Sequence, residues 1–145
     1  MRIIAIGAKN EKILEGKNIE IINWSLKTEL VHLSKFDIGI MPLANDLWTK
    51  GKGGYKILQY MAIGIPAVAS PVGINKCLIK NGYNGFLASN EIECIEKIEY
   101  LILNKDKRIK MGENGRILAE NNYSIEKAIS EMLRIFNNLS VKNHI

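Results

Sequence analysis

Apolar residues in the first two-thirds of the chain come in short runs, each stopped by a glycine, a proline or polar residues. Arg2–Ile6 ends at Gly7, Ile19–Ile22 at Asn23 and Asp37–Met41 at Pro42; Pro66–Ser70 and Gly85–Ala88 have the same form. Short apolar runs without polar alternation are the pattern of strands covered on both faces, as in a parallel sheet. Between them the period changes. Lys9–Gly16 predicts a short helix stopped by glycine, and Lys27–Phe36 a helix with Leu30, Val31, Leu33 and Ser34 toward the core. Tyr55–Ile63 predicts a helix with Ile57, Leu58, Met61 and Ala62 on one face and Gly64 just past its end. Asn75 predicts the cap of a short helix ending at Asn81–Gly82. Leu43–Gly54 reads as a loop. Beyond residue 90 the pattern is helical. Ile92, Ile95, Ile98, Leu101 and Ile102 form one stripe, and Ile109, Ile117 and Leu118 lie on the next segment. Ser124 caps a last helix carrying Ile125, Ala128, Ile129, Met132, Leu133 and Phe136. Alternating strands and helices imply βαβ units, an α/β fold whose parallel sheet is flanked by helices. The expected organisation is one domain over 1–145, with the sheet over about 1–88 and a helical tail over about 90–138.

Length and composition narrow the class. A chain of 145 residues is one domain's worth, and 47% apolar with 24% charged residues is ordinary for a globular protein. No apolar run approaches the ~18 residues of a membrane span. The amino terminus reads as a first strand rather than a signal peptide, so a cytoplasmic location is expected. The net charge of +5 comes from 16 Lys and 4 Arg against 15 acids. Scattered arginines and 7% aromatics do not make a nucleic-acid surface, and solubility is the plain reading of the charge. Cys77 and Cys94 have neither CxxC spacing nor a histidine pair, so buried reduced thiols are expected, with no disulfide framework and no metal site. His32 falls on a helix at the core edge and His144 at a terminus.

In open parallel sheets ligands bind beyond the carboxyl ends of the strands. Gly7-Ala8-Lys9, Asn23-Trp24-Ser25, the Leu43–Gly54 loop and Pro71-Val72-Gly73 lie there. The richest stretch is Lys50-Gly51-Lys52-Gly53-Gly54-Tyr55-Lys56, which runs straight into a helix. Helix-start amides, the helix dipole and flanking lysines together suit a phosphate or pyrophosphate; a solvated loop with surface lysines is the alternative. Neither G-x-x-x-x-G-K-[ST] nor a G-x-G-x-x-G after the first strand is present, which disfavours a P-loop and a nicotinamide or flavin dinucleotide.

The run from Gly54 through Gln59-Tyr60-Met61-Ala62-Ile63-Gly64-Ile65-Pro66 and Ala69-Ser70-Pro71-Val72-Gly73, then Asn81-Gly82-Tyr83-Asn84-Gly85-Phe86-Leu87, resembles group 1 (family 4) glycosyltransferases. The match is to their C-terminal, donor-binding domain, the Rossmann-like half of the GT-B fold. The resemblance implies sugar transfer from a nucleotide-diphosphate donor, UDP-sugar favoured, to a saccharide or lipid-linked acceptor with retention and without a metal or other cofactor. It places Gln59 where the family's second E-x7-E glutamate holds the ribose, and Gly51 where the first glutamate contacts the sugar. Lys52, Gly53, Gly54 and Lys56 are then expected at the pyrophosphate, Gly73 where backbone approaches the donor, and Trp24 near the nucleobase. No catalytic residue is assigned. Cys77 stands where a glutamate commonly follows V-G-G. Met1 aligns with the family domain's second strand, so its first βα unit, the Arg–Lys pair there and the N-terminal acceptor domain are expected to be absent. The chain alone should therefore not transfer sugar, and it should meet its acceptor through a missing domain or partner chain, with self-association as an alternative. A peripheral position at the inner face of the membrane fits a lipid-linked acceptor. A split-enzyme subunit, a nucleotide-binding module without turnover and an inert remnant stand as the other readings.

Overall fold

The computed structural model describes residues 2–8 and 18–142; the helix predicted over 9–16 and His144 lie outside the described residues. The chain divides into two compact units, Met1–Lys35 and Phe36–Ile145. All five predicted strands are present, and among the described residues every pairing is parallel, in one two-stranded and one three-stranded sheet.

In the first unit β1 (Ile3–Ile6) pairs with β2 (Ile19–Ile22), Ile3 opposite Ile19. Both strands are only half-buried, not covered on both faces as expected, and β1 keeps one edge without a strand partner among the described residues. The helix that follows is shorter than predicted: α1 spans Glu29–Leu33. It buries Glu29 and Leu33, one turn apart, so Leu30 and Val31 fall on the outer side.

In the second unit β3 (Gly39–Met41), β4 (Ala67–Ala69) and β5 (Gly85–Leu87) lie side by side, with Gly39 opposite Ala67 and Ala67 opposite Gly85. Gly85 is small because a Cβ there would run into the Ala67 carbonyl. The connections are α2 (Leu47–Lys50) and α3 (Tyr55–Ala62) after β3, α4 (Asn75–Leu78) after β4, and α5 (Glu91–Leu103), α6 (Lys105–Tyr123) and α7 (Ile125–Lys142) after β5. The core gathers Val68, Phe86, Ala88, Leu101 and Met111, with Ile38, Cys94 and Ile98 packed on its edge. Arg108 joins α6 to this layer: it donates to the Leu101 carbonyl at 2.7 Å and meets Asp37 at 3.2 Å.

The helical stripes need correction. On α5 the inward face is Cys94, Ile98 and Leu101, while Ile92, Ile95 and Ile102 are exposed. On α6 the inward residues are Met111, Gly112, Gly115 and Ala119, not Ile109 and Ile117. Small residues win this face because α6 lies backbone to backbone against the end of α3: a Cβ at Gly112 would collide with the Gly64 carbonyl. The Gly112–Gly115–Ala119 spacing was the available signal. Gly112→Ala should therefore lower stability by about 1–3 kcal/mol, as overpacking does. Gly115→Ala meets Met61 at an ordinary 3.5 Å and should be neutral or stabilising. Thermal unfolding followed by circular dichroism checks the pair; equal melting points would remove the close-approach argument. Ser124 caps α7 as predicted, its Oγ accepting from Lys127 N at 3.3 Å. The apolar face of α7, including Ile129, Met132 and Phe136, is half-exposed.

Candidate functional site

The Leu43–Gly54 segment is more ordered than a loop. Asp46 caps α2: its Oδ1 accepts from Thr49 N at 2.7 Å, and Thr49 Oγ1 accepts from Asp46 N at 3.3 Å. The Thr49 hydroxyl also donates to the Ala44 carbonyl, and Thr49 is buried. These bonds hold the Asp46 carboxyl below its ordinary range. The Thr49 amide is the largest cause, then its hydroxyl, with the Trp48 amide and the Lys52 charge adding. A depressed carboxylate contributes stability above its unfolded pKa and loses it as pH falls through the folded value, so this anchor is intact at neutral pH.

The chain then turns. Gly51 N donates to Trp48 O and Lys52 N to Thr49 O, each at 3.2 Å, and Gly54 at φ +69° sets the start of α3. The first turn of α3 carries no acidic residue, and its amides face out of the helix end as at every helix start. Three glycines of the expected site differ in what surrounds them. A Cβ at Gly54 would collide with Leu78 and come within 2.9 Å of Ile74. A Cβ at Gly73, whose φ is +52°, would lie 2.6 Å from the Lys50 carbonyl oxygen. At Gly53 it would meet nothing within 4 Å. Gly54 and Gly73 therefore fit the turn against the rest of the unit, and Gly53 is the position left open.

Gln59 sits one turn into α3 and is 8% exposed. Its Nε2 donates to the Tyr55 hydroxyl at 3.3 Å, while its Oε1 is buried with no partner among the described residues. Burial without a partner costs on the order of 1–3 kcal/mol, so such an acceptor calls for a donor. Lys52 is exposed and Lys56 half-buried on either side of Gly53–Gly54. Trp24 belongs to the first unit; it is 56% exposed and its Cβ lies 3.0 Å from where a Cβ of Gly7, at φ +73°, would stand.

Other expectations shift. Asn75 does not cap α4, whose N-cap is Ile74; it is buried and donates instead to the Ser70 carbonyl at 3.0 Å. Asn84, missed in the sequence, is equally buried and braces the turn before β5, accepting from Lys80 N at 2.7 Å and donating to Leu78 O at 2.9 Å. Its N-G-x-N-G context was a turn signal only. Cys77 is exposed, not buried, and Cys94 is half-buried with its thiol pushed up by burial. A cleft of about 300 Å³ opens over the carboxyl ends of β3–β5 between Leu43, Ser70, Ser89 and Cys94, but none of the expected residues lines it. Glu91 is the one charged residue on its wall, so it does not suit a polyphosphate. Among the described residues no His, Cys, Asp and Glu group could hold a metal, and no helix is long and apolar enough to cross a membrane.

Residues 10–118 match the family described as "Glycosyl transferases group 1". An uncharacterized glycosyltransferase of Methanocaldococcus jannaschii is 34% identical over 89 residues, which are 60% of this chain and 25% of that protein. Among solved structures, S. aureus TarM superposes with TM-score 0.75 at 20% identity, over 94% of this chain and 29% of that one. Anabaena HepE in complex with UDP-glucose superposes with TM-score 0.70 at 18% identity, over 88% of this chain and 34% of that one. The chain thus spans a quarter to a third of the length of these proteins.

Proposed function

Since the chain belongs to the group 1 glycosyltransferases, we propose that it is the donor-binding part of a nucleotide-sugar-dependent, retaining transferase, with UDP-sugar as donor. The Gln59 amide carries this reading: its Oε1 has no partner where it is buried, and a turn of the side chain toward the surface would let a ribose hydroxyl supply the missing donor. The pyrophosphate then falls on the Lys52–Lys56 turn, where two lysines flank the start of α3 in the chain and Gly53 leaves the backbone open. Gly73 and Gly54 shape that turn from behind. The UDP-glucose complex of HepE supports a uridine donor.

Transfer needs an acceptor hydroxyl held beside the anomeric carbon and cations on the departing diphosphate. The proposed turn supplies cations only. The 145 residues alone therefore bind donor without transferring it, and a facing domain or partner chain brings a saccharide or lipid-linked acceptor, from the cytoplasm or at the inner face of the membrane. A nucleotide-sugar module without turnover is the second reading, favoured by Gly51 and Gln59 standing where the family carries acids.

Isothermal titration with UDP and UDP-glucose tests the assignment. Wild type should bind both. Gly53→Ala meets no protein atom and takes no left-handed φ, so its melting temperature should hold while UDP affinity falls about tenfold, the worth of one charge-assisted hydrogen bond. Binding unchanged by Gly53→Ala would move the phosphates elsewhere, and wild type that binds neither ligand would end the donor-binding reading.

A further inference from the structure

The two most exposed large apolar side chains of the described residues are neighbours: Leu47 is 88% and Trp48 81% exposed. They are not on a slack loop. The Asp46–Thr49 capping box fixes the single turn that carries them, the buried Thr49 hydroxyl ties it to Ala44, and the Trp48 carbonyl accepts from Gly51 N. A rigid support thus presents an indole to solvent two residues before the glycine-lysine turn begins. On the far side of that turn stands Tyr55, 69% exposed and bonded to Gln59.

We propose that Trp48 packs on the pyranose ring of the donor and sets the preference for a sugar-bearing nucleotide over the bare diphosphate; this rests on the donor-binding reading above. The order of groups along the turn carries it. Gln59 and Tyr55 mark the ribose end, Gly54, Gly53 and Lys52 the diphosphate, and a sugar joined to the second phosphate continues away from Tyr55, toward Trp48. Gly51, three residues on, has no side chain to hydrogen-bond the ring, which makes the flat apolar face of Trp48 a contact that Gly51 does not duplicate. The π face of an indole is electron-rich and attracts the weakly positive C–H groups of a pyranose, and tryptophan loses little conformational freedom on contact.

The test compares UDP with UDP-glucose by titration calorimetry for wild type, Trp48→Ala and Trp48→Phe. Trp48→Ala should lose about three- to tenfold in affinity for UDP-glucose and nothing for UDP, and Trp48→Phe should recover most of the loss. Equal losses for both ligands, or none for either, overturn the proposal while wild-type UDP binding leaves the donor site standing. If wild type binds no UDP, the donor reading and this inference fall together. Sedimentation with phosphatidylglycerol vesicles that Trp48→Ala abolishes would assign the indole to a lipid surface and also overturn it.

Discussion

Gly73→Val should cost the second unit much of its stability, with Tm falling on the order of 10 °C or more. The residue stands at φ +52°, where any side chain is strained and a β-branched one most of all. Its Cβ would lie 2.6 Å from the Lys50 carbonyl oxygen and 3.2 Å from the Lys50 Cα. Both are backbone, so no rotamer change relieves the clash. Left-handed strain and overpacking together come to about 2–5 kcal/mol, a large share of the 5–15 kcal/mol that holds a typical domain folded. The sequence alone suggests a different outcome, lost binding on an intact fold, because a glycine at a strand's carboxyl end reads as room for a ligand. Here the chain's own loop fills that room. Chemical denaturation of the valine and alanine variants decides between the two. Unchanged stability with lost UDP affinity would put Gly73 on the ligand instead.

Lys52→Ala with Lys56→Ala should weaken UDP binding by about 1–3 kcal/mol, roughly five- to 150-fold, the range of charge-assisted hydrogen bonds. Neither change opens a cavity in the core, so the melting temperature should move little. The loss should be largest in dilute buffer, since salt screens exposed charge, and uridine, which lacks phosphates, should bind both proteins alike. Calorimetry at two salt concentrations checks all three statements. Full UDP affinity in the double variant would return these lysines to the solvated surface.

Fold class was legible because the signals were local. Each apolar run between punctuating residues became a strand, and Gly64 ended its helix as read, at φ +75°. Failures occurred where a neighbour distant in sequence decides. The inward face of α6 belongs to Gly112 and Gly115, which no hydrophobicity count selects, because the carbonyl of Gly64 must come close. The helix at Leu47–Lys50 hid in a polar stretch, although Asp46 and Thr49 carry the N-cap and N3 positions of a capping box. For the site, the lysine-glycine turn was visible as composition. That Gly53 faces open space while Gly54 and Gly73 face protein is a three-dimensional property with no sequence counterpart.

The meeting of Gly112 with Gly64 ties two histories together. The helix that carries Gln59 is positioned at its far end by main chain pressed on main chain, and main chain cannot be repacked by trading one side chain for another. Drift in α6 therefore has few silent routes: a substitution that lifts it from Gly64 tilts α3 and moves Gln59 relative to the lysine turn. On the donor-binding proposal, selection for affinity would then be felt more than fifty residues downstream, at positions outside the proposed site. An engineer seeking to retune this site without handling it has a lever in the turn-facing side of α6.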